Sequence, residues 1–285
     1  MNVSCKNNVD PGIKDGVKSF FLSPDLSMIT DSFLETSFFN GYESYVICDD
    51  AYVSLEDKAR MLLREFEELM LFFTIDKTYS MPQWASLIQQ LQTAYKDARI
   101  GVLYKGIHAA PVDEKIKHLF LYEVGISCGC IPLQFSQIRN QQLLLNILSA
   151  NEAAGRRKSI RLLCPDKFQL NFFHNYRKCE ARLLDVSVSH FSCTFHETDP
   201  DLALNTSIGE IQLRLSGILF MVDARVALKR VMNGQMVYVF VYQSKGKTEG
   251  LEDALKTKMS SLICKYFQHT MHGHLNKVFH RSLVN

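Results

Sequence analysis

Three arginines, an aspartate and a serine in the second half of the chain have the types and the spacing of an anion-binding site. The arginines are Arg156, Arg157 and Arg161, and the acid and hydroxyl are Asp185 and Ser187, at the end of an apolar run. An arginine donates to two phosphate oxygens, or to the O6 and N7 edge of guanine, and its flat face stacks on a base. A carboxylate and a hydroxyl supply the acceptor and the donor that a purine edge also needs. The two segments together predict an anion site that can hold a purine.

The position of these residues favours a site over a plain basic turn. Gly155 ends a segment with helical periodicity, the basic residues follow it, and strands begin directly afterwards. Alone, the arginines could form a solvated turn whose cations favour the end of a helix dipole. Asp185 and Ser187 alone could satisfy local backbone groups at a strand end. Both alternatives stay open, and the pairing of the two segments favours the site.

The pattern Arg157-x-x-x-Arg161, preceded by Arg156 and followed two strands later by Asp185-x-Ser187, resembles the paired signature of PilZ domains. Proteins of that family are receptors for the bacterial second messenger cyclic di-GMP. The resemblance implies that Arg157 and Arg161 grip phosphates and guanines, with Arg156 as an auxiliary arginine, while Asp185 and Ser187 read a guanine. It covers roughly residues 150–270. It implies a receptor and not an enzyme, with cyclic di-GMP as ligand and no other cofactor.

The chain departs from the family pattern at the end of the second motif. His190 stands where the family has glycine, and Ser189 occupies the neighbouring position, which is often glycine too. Glycine permits φ > 0 and lets a ligand approach the backbone closely. His190 is therefore expected in the site, where its ring either crowds that approach or stacks on a base.

Length and charge bound the class of protein. The 285 residues, of which 47% are hydrophobic, are enough for two domains with their own cores. The formal net charge is +2, from 32 lysines and arginines against 30 acidic residues, so no global field favours a DNA or RNA partner. Eight scattered cysteines indicate reduced thiols and not a disulfide framework. Neither a signal peptide nor a membrane span of roughly 18 apolar residues is recognised, so a cytoplasmic protein is expected.

The first half of the chain alternates between strand and helix patterns. Residues 1–40 lack a sustained period and are expected to form an irregular arm. Within 41–154, four short apolar runs predict strands, and stripes at helical spacing separate them. This alternation favours a Rossmann-like α/β domain with a parallel sheet. Pro132 indicates that the fourth predicted strand lies at an edge, since proline cannot donate to a sheet ladder.

The second half changes to strand periodicity. Several segments alternate apolar with polar residues, which predicts a small antiparallel PilZ-like β-barrel with a C-terminal helix over residues 155–285. Asn233-Gly234 predicts a tight hairpin, because both residues tolerate φ > 0. The closing helix is predicted to start at Leu251 and to include Phe267.

Two further sets of polar residues have the types of a chemical site. The first comprises acids and a lysine that follow strands, as in a phosphoacceptor domain: Asp49, Asp50, Asp76 and Lys105. Asp76 comes only one βα unit after Asp49, so polar residues that end strands are the preferred interpretation. The second comprises histidines near the C-terminus: His269, His272, His274 and His280. No cysteine or carboxylate completes a tetrahedral set nearby, so a solvated helix end is preferred and no metal is predicted.

The sequence therefore predicts a receptor that holds cyclic di-GMP between the basic arm and the Asp185 strand. Because the arm continues from the helix that ends the first domain, binding is expected to change the interdomain arrangement. The output would be a signal to an unidentified protein partner, in motility or envelope machinery as the resemblance implies. The main alternative is a degenerate PilZ-like interaction scaffold that has lost the nucleotide because of His190. A weaker alternative is an enzyme that uses Asp49, Asp50 and Lys105.

Overall fold

The computed structural model describes most of the chain, namely residues 16–23, 29–49, 52–75, 79–106, 110–155, 159–195, 200–244 and 248–281. The chain forms two compact units. The first comprises Met1–Lys158 with Gln268–Asn285, and the second comprises Ser159–Phe267. The sequence places the domain boundary after residue 154 and assigns the whole C-terminus to the barrel domain. The units instead divide after residue 158, and the chain from Gln268 onward is grouped with the first unit.

The first unit is built on a five-stranded parallel sheet with the strand order β2-β1-β3-β4-β5. Its strands are β1 (Lys18–Ser23), β2 (Glu43–Cys48), β3 (Leu69–Ile75), β4 (Arg99–Lys105) and β5 (Cys130–Leu133). The helices between them are α1 (Asp31–Phe39), α2 (Leu55–Glu65), α3 (Met81–Ala94), α4 (Ala110–Lys117) with a π-helical turn His118–Glu123, and α5 (Gln137–Ala150). A Rossmann-like α/β architecture is thereby confirmed.

The expectation of an irregular arm over residues 1–40 is wrong where the structure describes this segment. Strand β1 lies inside the sheet, between β2 and β3, and all six of its residues are buried. Helix α1 follows at Asp31, and Thr30 Oγ1 caps it by accepting from the Phe33 amide at 3.3 Å. The apolar part of β1 is too short to show a period, and a strand buried on both faces need not alternate.

Local features define two helix starts and one sheet edge in the first unit. Ser54 Oγ accepts from the Asp57 amide at 3.1 Å and caps α2. Ser136 does the same for α5, through the Arg139 amide at 3.4 Å. Strand β5, which contains Pro132, lies at the edge of the sheet, so the prediction from proline is confirmed.

The second unit is an antiparallel barrel. Six strands in the order β8-β7-β10-β11-β12-β9 close through the pairing of β9 with β8, and the short β6 pairs with the other side of β8. The strands are β6 (Leu162–Leu163), β7 (Gln169–His174), β8 (Arg177–Val186), β9 (His190–Phe195), β10 (Ser207–Leu215), β11 (Ile218–Met232) and β12 (Gln235–Gln243). Aromatic rings fill its interior, with Phe191 and Phe240 stacked at 4.9 Å. The predicted antiparallel barrel is confirmed.

A tight hairpin joins β11 to β12 at the predicted dipeptide. Asn233 has φ of 51° and Gly234 has φ of 77°, as a two-residue turn of this kind requires. The hairpin lies at the end of the longest strand of the barrel, β11, which has 15 residues.

Helix α6 (Asp253–Arg281) is longer than predicted and runs through the histidines near the C-terminus. His274 Nε2 lies 3.0 Å from Glu65 Oε1, and burial lowers the pKa of His272, with a smaller effect of His269. Met271, buried on the same helix, shows that this region is not simply solvated. In the described residues, no group of three or more His, Cys, Asp or Glu side chains is arranged to hold a metal ion. None of the described helices is long and apolar enough to cross a membrane.

Candidate functional site

A pocket of about 250 Å³ on the barrel contains three of the residues that the sequence assigns to one site, Arg161, Asp185 and His190. Its other lining residues are Ser192, Leu228, Arg230 and Val239. The pocket opens on the outer face of the barrel, because neighbouring residues on the same strands, such as Phe191, point into the core. Two arginines from different segments, Arg161 and Arg230, thus line the same pocket as the carboxylate of Asp185.

Strand register explains how these residues come together. Leu228 pairs with Val239, Val239 pairs with Ser192, and Ser192 pairs with Asp185. The four residues form one row across β11, β12, β9 and β8. Arg161 immediately precedes β6, whose Leu162 pairs with Val186 on the other side of β8. The backbone therefore brings segments distant in sequence to one patch of the barrel surface.

A β-bulge turns the Asp185 side chain outward. Leu183 pairs with Cys193, and both are buried in the barrel core, but the next pair is Asp185 with Ser192. One extra residue therefore lies on β8 between these pairs. Without it, Asp185 would share the inward face of Leu183, since side chains alternate with a period of two. Bulges of this kind re-aim side chains next to binding sites.

The carboxylate of Asp185 is held by one contact and retains one oxygen for another. Its Oδ2 accepts from Ser192 Oγ at 2.6 Å. Its Oδ1 is buried, and no described residue donates a hydrogen bond to it. Arg161 Nε is also buried, and no described residue accepts a hydrogen bond from it. A buried polar atom without a partner costs about 1–3 kcal/mol, so such atoms call for a functional explanation. The two atoms are a donor and an acceptor on residues that line the same pocket.

Two ionisable groups near Asp185, the Cys164 thiol and the Tyr242 hydroxyl, have raised pKa values. Burial raises the pKa of the Cys164 thiol, and the carboxylate of Asp185 raises it further. Burial also raises the pKa of Tyr242, with smaller effects of Cys164 and Asp185. Both groups therefore keep their protons at neutral pH. Asp185 is the acidic residue that lines the pocket, beside the cations Arg161 and Arg230.

Ser187 lies next to the pocket and does not line it. The residue is fully buried, and its Oγ accepts from the amides of Ser189 at 3.3 Å and His190 at 3.2 Å. Its own amide donates to the His190 carbonyl at 2.9 Å. The hydroxyl expected to read a guanine is thus occupied within the turn between β8 and β9. In this position Ser187 orients His190.

His190 occupies the glycine position of the family pattern without backbone strain. It is the first residue of β9 and is not among the residues with positive φ, so glycine's conformational freedom is not needed there. Its Nδ1 lies 2.8 Å from Ser189 Oγ and 3.2 Å from Ser187 Oγ. His190 is one of the residues that line the pocket.

The remaining predicted residues, Arg156 and Arg157, lie outside the described residues, as does Lys158. The structure adds residues that sequence reasoning missed. Ser192 could have been found, because alternation over 191–195 places it opposite the core-facing Phe191. Arg230 belongs to no motif, and its place in the pocket follows only from strand register.

Two residues of the alternative set of acids and lysine, Asp49 and Lys105, lie among the described residues of the first unit, and they are far apart. Asp49 follows β2 and Lys105 ends β4, and two strands lie between β2 and β4 in the sheet. At a strand spacing of about 4.8 Å their backbones are roughly 14 Å apart. Asp50 and Asp76 lie outside the described residues. The described geometry therefore does not bring Asp49 and Lys105 into one catalytic site.

No family model matches the sequence, and no curated protein matches it. Similar solved structures include Escherichia coli YcgR in complex with c-di-GMP, with 14% identity and a TM-score of 0.36 over 44% of this chain and 51% of that chain. The PilZ domain of Escherichia coli YcgR with c-di-GMP has 15% identity and a TM-score of 0.36 over 43% of this chain and 98% of that chain. The Bacillus subtilis inhibitor of motility MotI/DgrA has 11% identity and a TM-score of 0.31 over 43% of this chain and 52% of that chain.

The chain thus covers about half the length of the YcgR and MotI/DgrA chains and nearly all of the isolated YcgR domain.

Proposed function

We propose that the chain is a non-enzymatic receptor for cyclic di-GMP, and that the pocket on the barrel binds part of this ligand. The observation that carries the proposal is the convergence of Arg161 and Asp185. They come from the two motifs of the resemblance, they line one pocket, and each has a buried polar atom without a described partner.

The chemistry of the pocket suits the ligand. Cyclic di-GMP carries two phosphates, which a guanidinium binds through two hydrogen bonds, and two guanines, whose N1–H and amino groups need acceptors. Arg161 supplies the guanidinium, and Asp185 Oδ1 supplies an acceptor. Ligand pockets usually have volumes of about 300–1,000 Å³. A pocket of about 250 Å³ therefore suits one part of the dinucleotide, and Arg156 and Arg157 would bind the rest.

We further propose that binding changes the arrangement of the two domains and thereby signals to a protein partner. The segment between the end of α5 at Ala150 and the start of β6 at Leu162 carries the arginines and also joins the two units. A ligand that holds this segment in one conformation favours the domain arrangements compatible with it. The partner would belong to motility or envelope machinery, as the sequence resemblance implies.

A calorimetric titration of the full chain with cyclic di-GMP tests the binding proposal. Replacing Arg161 by alanine removes a charge-assisted contact of about 1.5–3 kcal/mol, so the dissociation constant should rise tenfold or more. Arg214→Ala is the matched control, because Arg214 is exposed on β10 and does not line the pocket. Equal affinities of the Arg161→Ala and wild-type proteins would contradict the proposal.

The domain rearrangement needs a separate measurement. Small-angle scattering of the full chain, with and without saturating cyclic di-GMP, should show a change in the radius of gyration or in the distance distribution. The Arg161→Ala protein should not show this change at the same ligand concentration. If the scattering curves with and without bound ligand superimpose, the proposed domain rearrangement is contradicted, whereas the binding proposal is not.

A degenerate scaffold that binds no nucleotide is the second candidate, and one observation favours it. The His190 ring lines the pocket at the position where the family pattern has glycine. If the ring blocks the ligand, the folded wild-type protein will show no heat of binding, whereas His190→Gly will bind cyclic di-GMP. If the ring stacks on a base, His190→Gly will bind more weakly than wild type.

A further inference from the structure

Arg230 lines the same pocket as Asp185, although it belongs to neither sequence motif. We propose that Arg230 determines specificity and makes the pocket select guanine over adenine. This inference rests on the proposed function, because it concerns how the same pocket reads the base of a cyclic dinucleotide.

A second β-bulge directs Arg230 into the pocket. Val226 is buried and pairs with the core residue Phe240, but the next pair is Leu228 with Val239. One extra residue on β11 therefore reverses the alternation, so that Leu228 and Arg230 lie on the outer face. A β-bulge on β8 likewise directs Asp185 into the pocket. Two bulges, on strands far apart in sequence, thus aim opposite charges at one place.

Arg161 and Arg230 approach Asp185 from opposite sides. Arg161 precedes β6, which pairs with one side of β8, whereas β9 and then β12 lie between the other side of β8 and β11. The backbones of β8 and β11 are therefore roughly 14 Å apart at a spacing of about 4.8 Å per strand. A planar base fits this span between a short aspartate and an extended arginine. Leu228 and Val239 provide an apolar surface for the face of the base.

Asp185 and Arg230 complement the hydrogen-bonding groups of guanine better than those of adenine. Guanine offers N1–H and amino donors to a carboxylate, and its O6 and N7 accept two hydrogen bonds from a guanidinium. Adenine has an amino donor in place of O6 and an acceptor at N1. It would place a lone pair against Asp185 and an N–H group against Arg230, so that Asp185 loses its N1–H donor and Arg230 keeps only N7 as an acceptor. A site built for specific hydrogen bonds rejects the wrong base for this reason.

Titration of the full chain with cyclic di-GMP and, separately, with cyclic di-AMP tests the inference. Arg230→Gln should weaken cyclic di-GMP binding about tenfold and lower the preference for guanine by a similar factor. Arg230→Lys keeps the positive charge but lacks the paired N–H donors of the guanidinium, so it should also lower the preference for guanine. Arg214→Gln should leave both affinities unchanged. Arg230 is exposed, so these variants should retain the wild-type melting temperature.

The outcomes separate this inference from the proposed function. If Arg161→Ala weakens binding and Arg230→Gln leaves the guanine preference intact, the role of Arg230 is contradicted and the receptor proposal stands. If Arg230→Lys retains the full preference, Arg230 acts through its charge and does not read the base, which also contradicts the inference. A folded wild-type protein that binds neither dinucleotide contradicts both proposals.

Discussion

The two units use their strands in different ways. In the parallel sheet, β1 and β3 are buried along their whole length, as expected where both faces of a sheet are covered. In the barrel, strands such as β10 and β11 bury one face and expose much of the other. A strand buried on both faces offers chemistry only at its ends, whereas a barrel strand can present a functional side chain from its middle.

Register differs between the units as well. The four strand pairs of the parallel sheet run without a shift. Three pairs of the barrel contain a register shift, and two of these shifts aim Asp185, Leu228 and Arg230 at the pocket. Regular strand pairing thus accompanies the core of the first unit, while irregular pairing shapes the candidate site of the second. Core substitutions should therefore change stability, and pocket substitutions should change affinity.

The largest effect is expected for Phe72→Ala in β3. Phe72 is fully buried and stacks on Phe21 at 5.1 Å, so the cavity should lower the free energy of unfolding by about 3–5 kcal/mol. Urea unfolding measures this change. Phe173→Ala, at a ring that is 69% exposed on β7, is the control and should change stability by about 0.5 kcal/mol or less. Affinity for cyclic di-GMP should be unchanged in folded Phe72→Ala, and a loss of affinity in proportion to the loss of stability would show that the two units do not have separate roles.

A slightly smaller effect should come from a buried charge in the first unit. Burial raises the pKa of Glu43 to about 7 from an ordinary value of 4.5, although Lys18 and the Tyr45 hydroxyl act in the opposite direction. The folded state thus binds this proton more tightly than the unfolded state. The contribution of Glu43 to stability is complete below about pH 4.5 and is lost as the pH rises to about 7.

Urea unfolding of the wild-type and Glu43→Gln proteins across this pH range measures that contribution. At about 1.4 kcal/mol per pKa unit, the difference between the two free energies of unfolding should change by about 3 kcal/mol between these limits. Glutamine does not titrate, so the other groups cancel in the difference. A difference that stays constant with pH would show that Glu43 is not perturbed by burial.

Asp185→Ala should produce a smaller change in free energy, expressed in affinity. Loss of the acceptor for a guanine should raise the dissociation constant for cyclic di-GMP about tenfold, or about 1.4 kcal/mol. Asp166→Ala is the control, because Asp166 is an exposed acid of the same unit that pairs with Arg182. Calorimetry compares the two variants. Equal affinities for both would place Asp185 outside the site.

The smallest effect is expected for Ser192→Ala, which removes the hydrogen bond that orients Asp185. Because Ser192 would affect the ligand only through the orientation of Asp185, we expect a two- to tenfold loss of affinity, or about 0.5–1.5 kcal/mol. Thr194→Val is the matched control on the same face of β9, since Thr194 bonds to the Met236 carbonyl and does not line the pocket. Affinity that falls more in Thr194→Val than in Ser192→Ala would contradict the assigned role.

Periodicity was sufficient to predict the alternating first unit, the antiparallel barrel and the hairpin at Asn233-Gly234, because these follow from local pattern and turn chemistry. It missed β1, whose short apolar run carries no period that separates a strand from a loop. The buried Lys18 at its start further weakened the pattern; its Nζ lies 3.3 Å from Glu43 Oε1, and this ion pair helps to offset the cost of burying the charge.

The candidate site was predictable in part. Motif spacing drew attention to Arg161, Asp185 and His190, and the structure brings these three residues to one pocket. Arg230 could not be found in this way, because a bulge shifts the face on which each later residue of a strand lies. The burial of Ser187 within a turn also depends on local geometry that the motif does not specify.

A double-mutant cycle tests most directly the central claim that Arg161 and Asp185 act together on one ligand. Calorimetry would give the affinities of wild type, Arg161→Ala, Asp185→Ala and the double variant for cyclic di-GMP. Two residues that bind the same ligand in one pocket should show a coupling energy of about 0.5–3 kcal/mol. Single effects that add to within about 0.3 kcal/mol, or that are both absent, would contradict the claim.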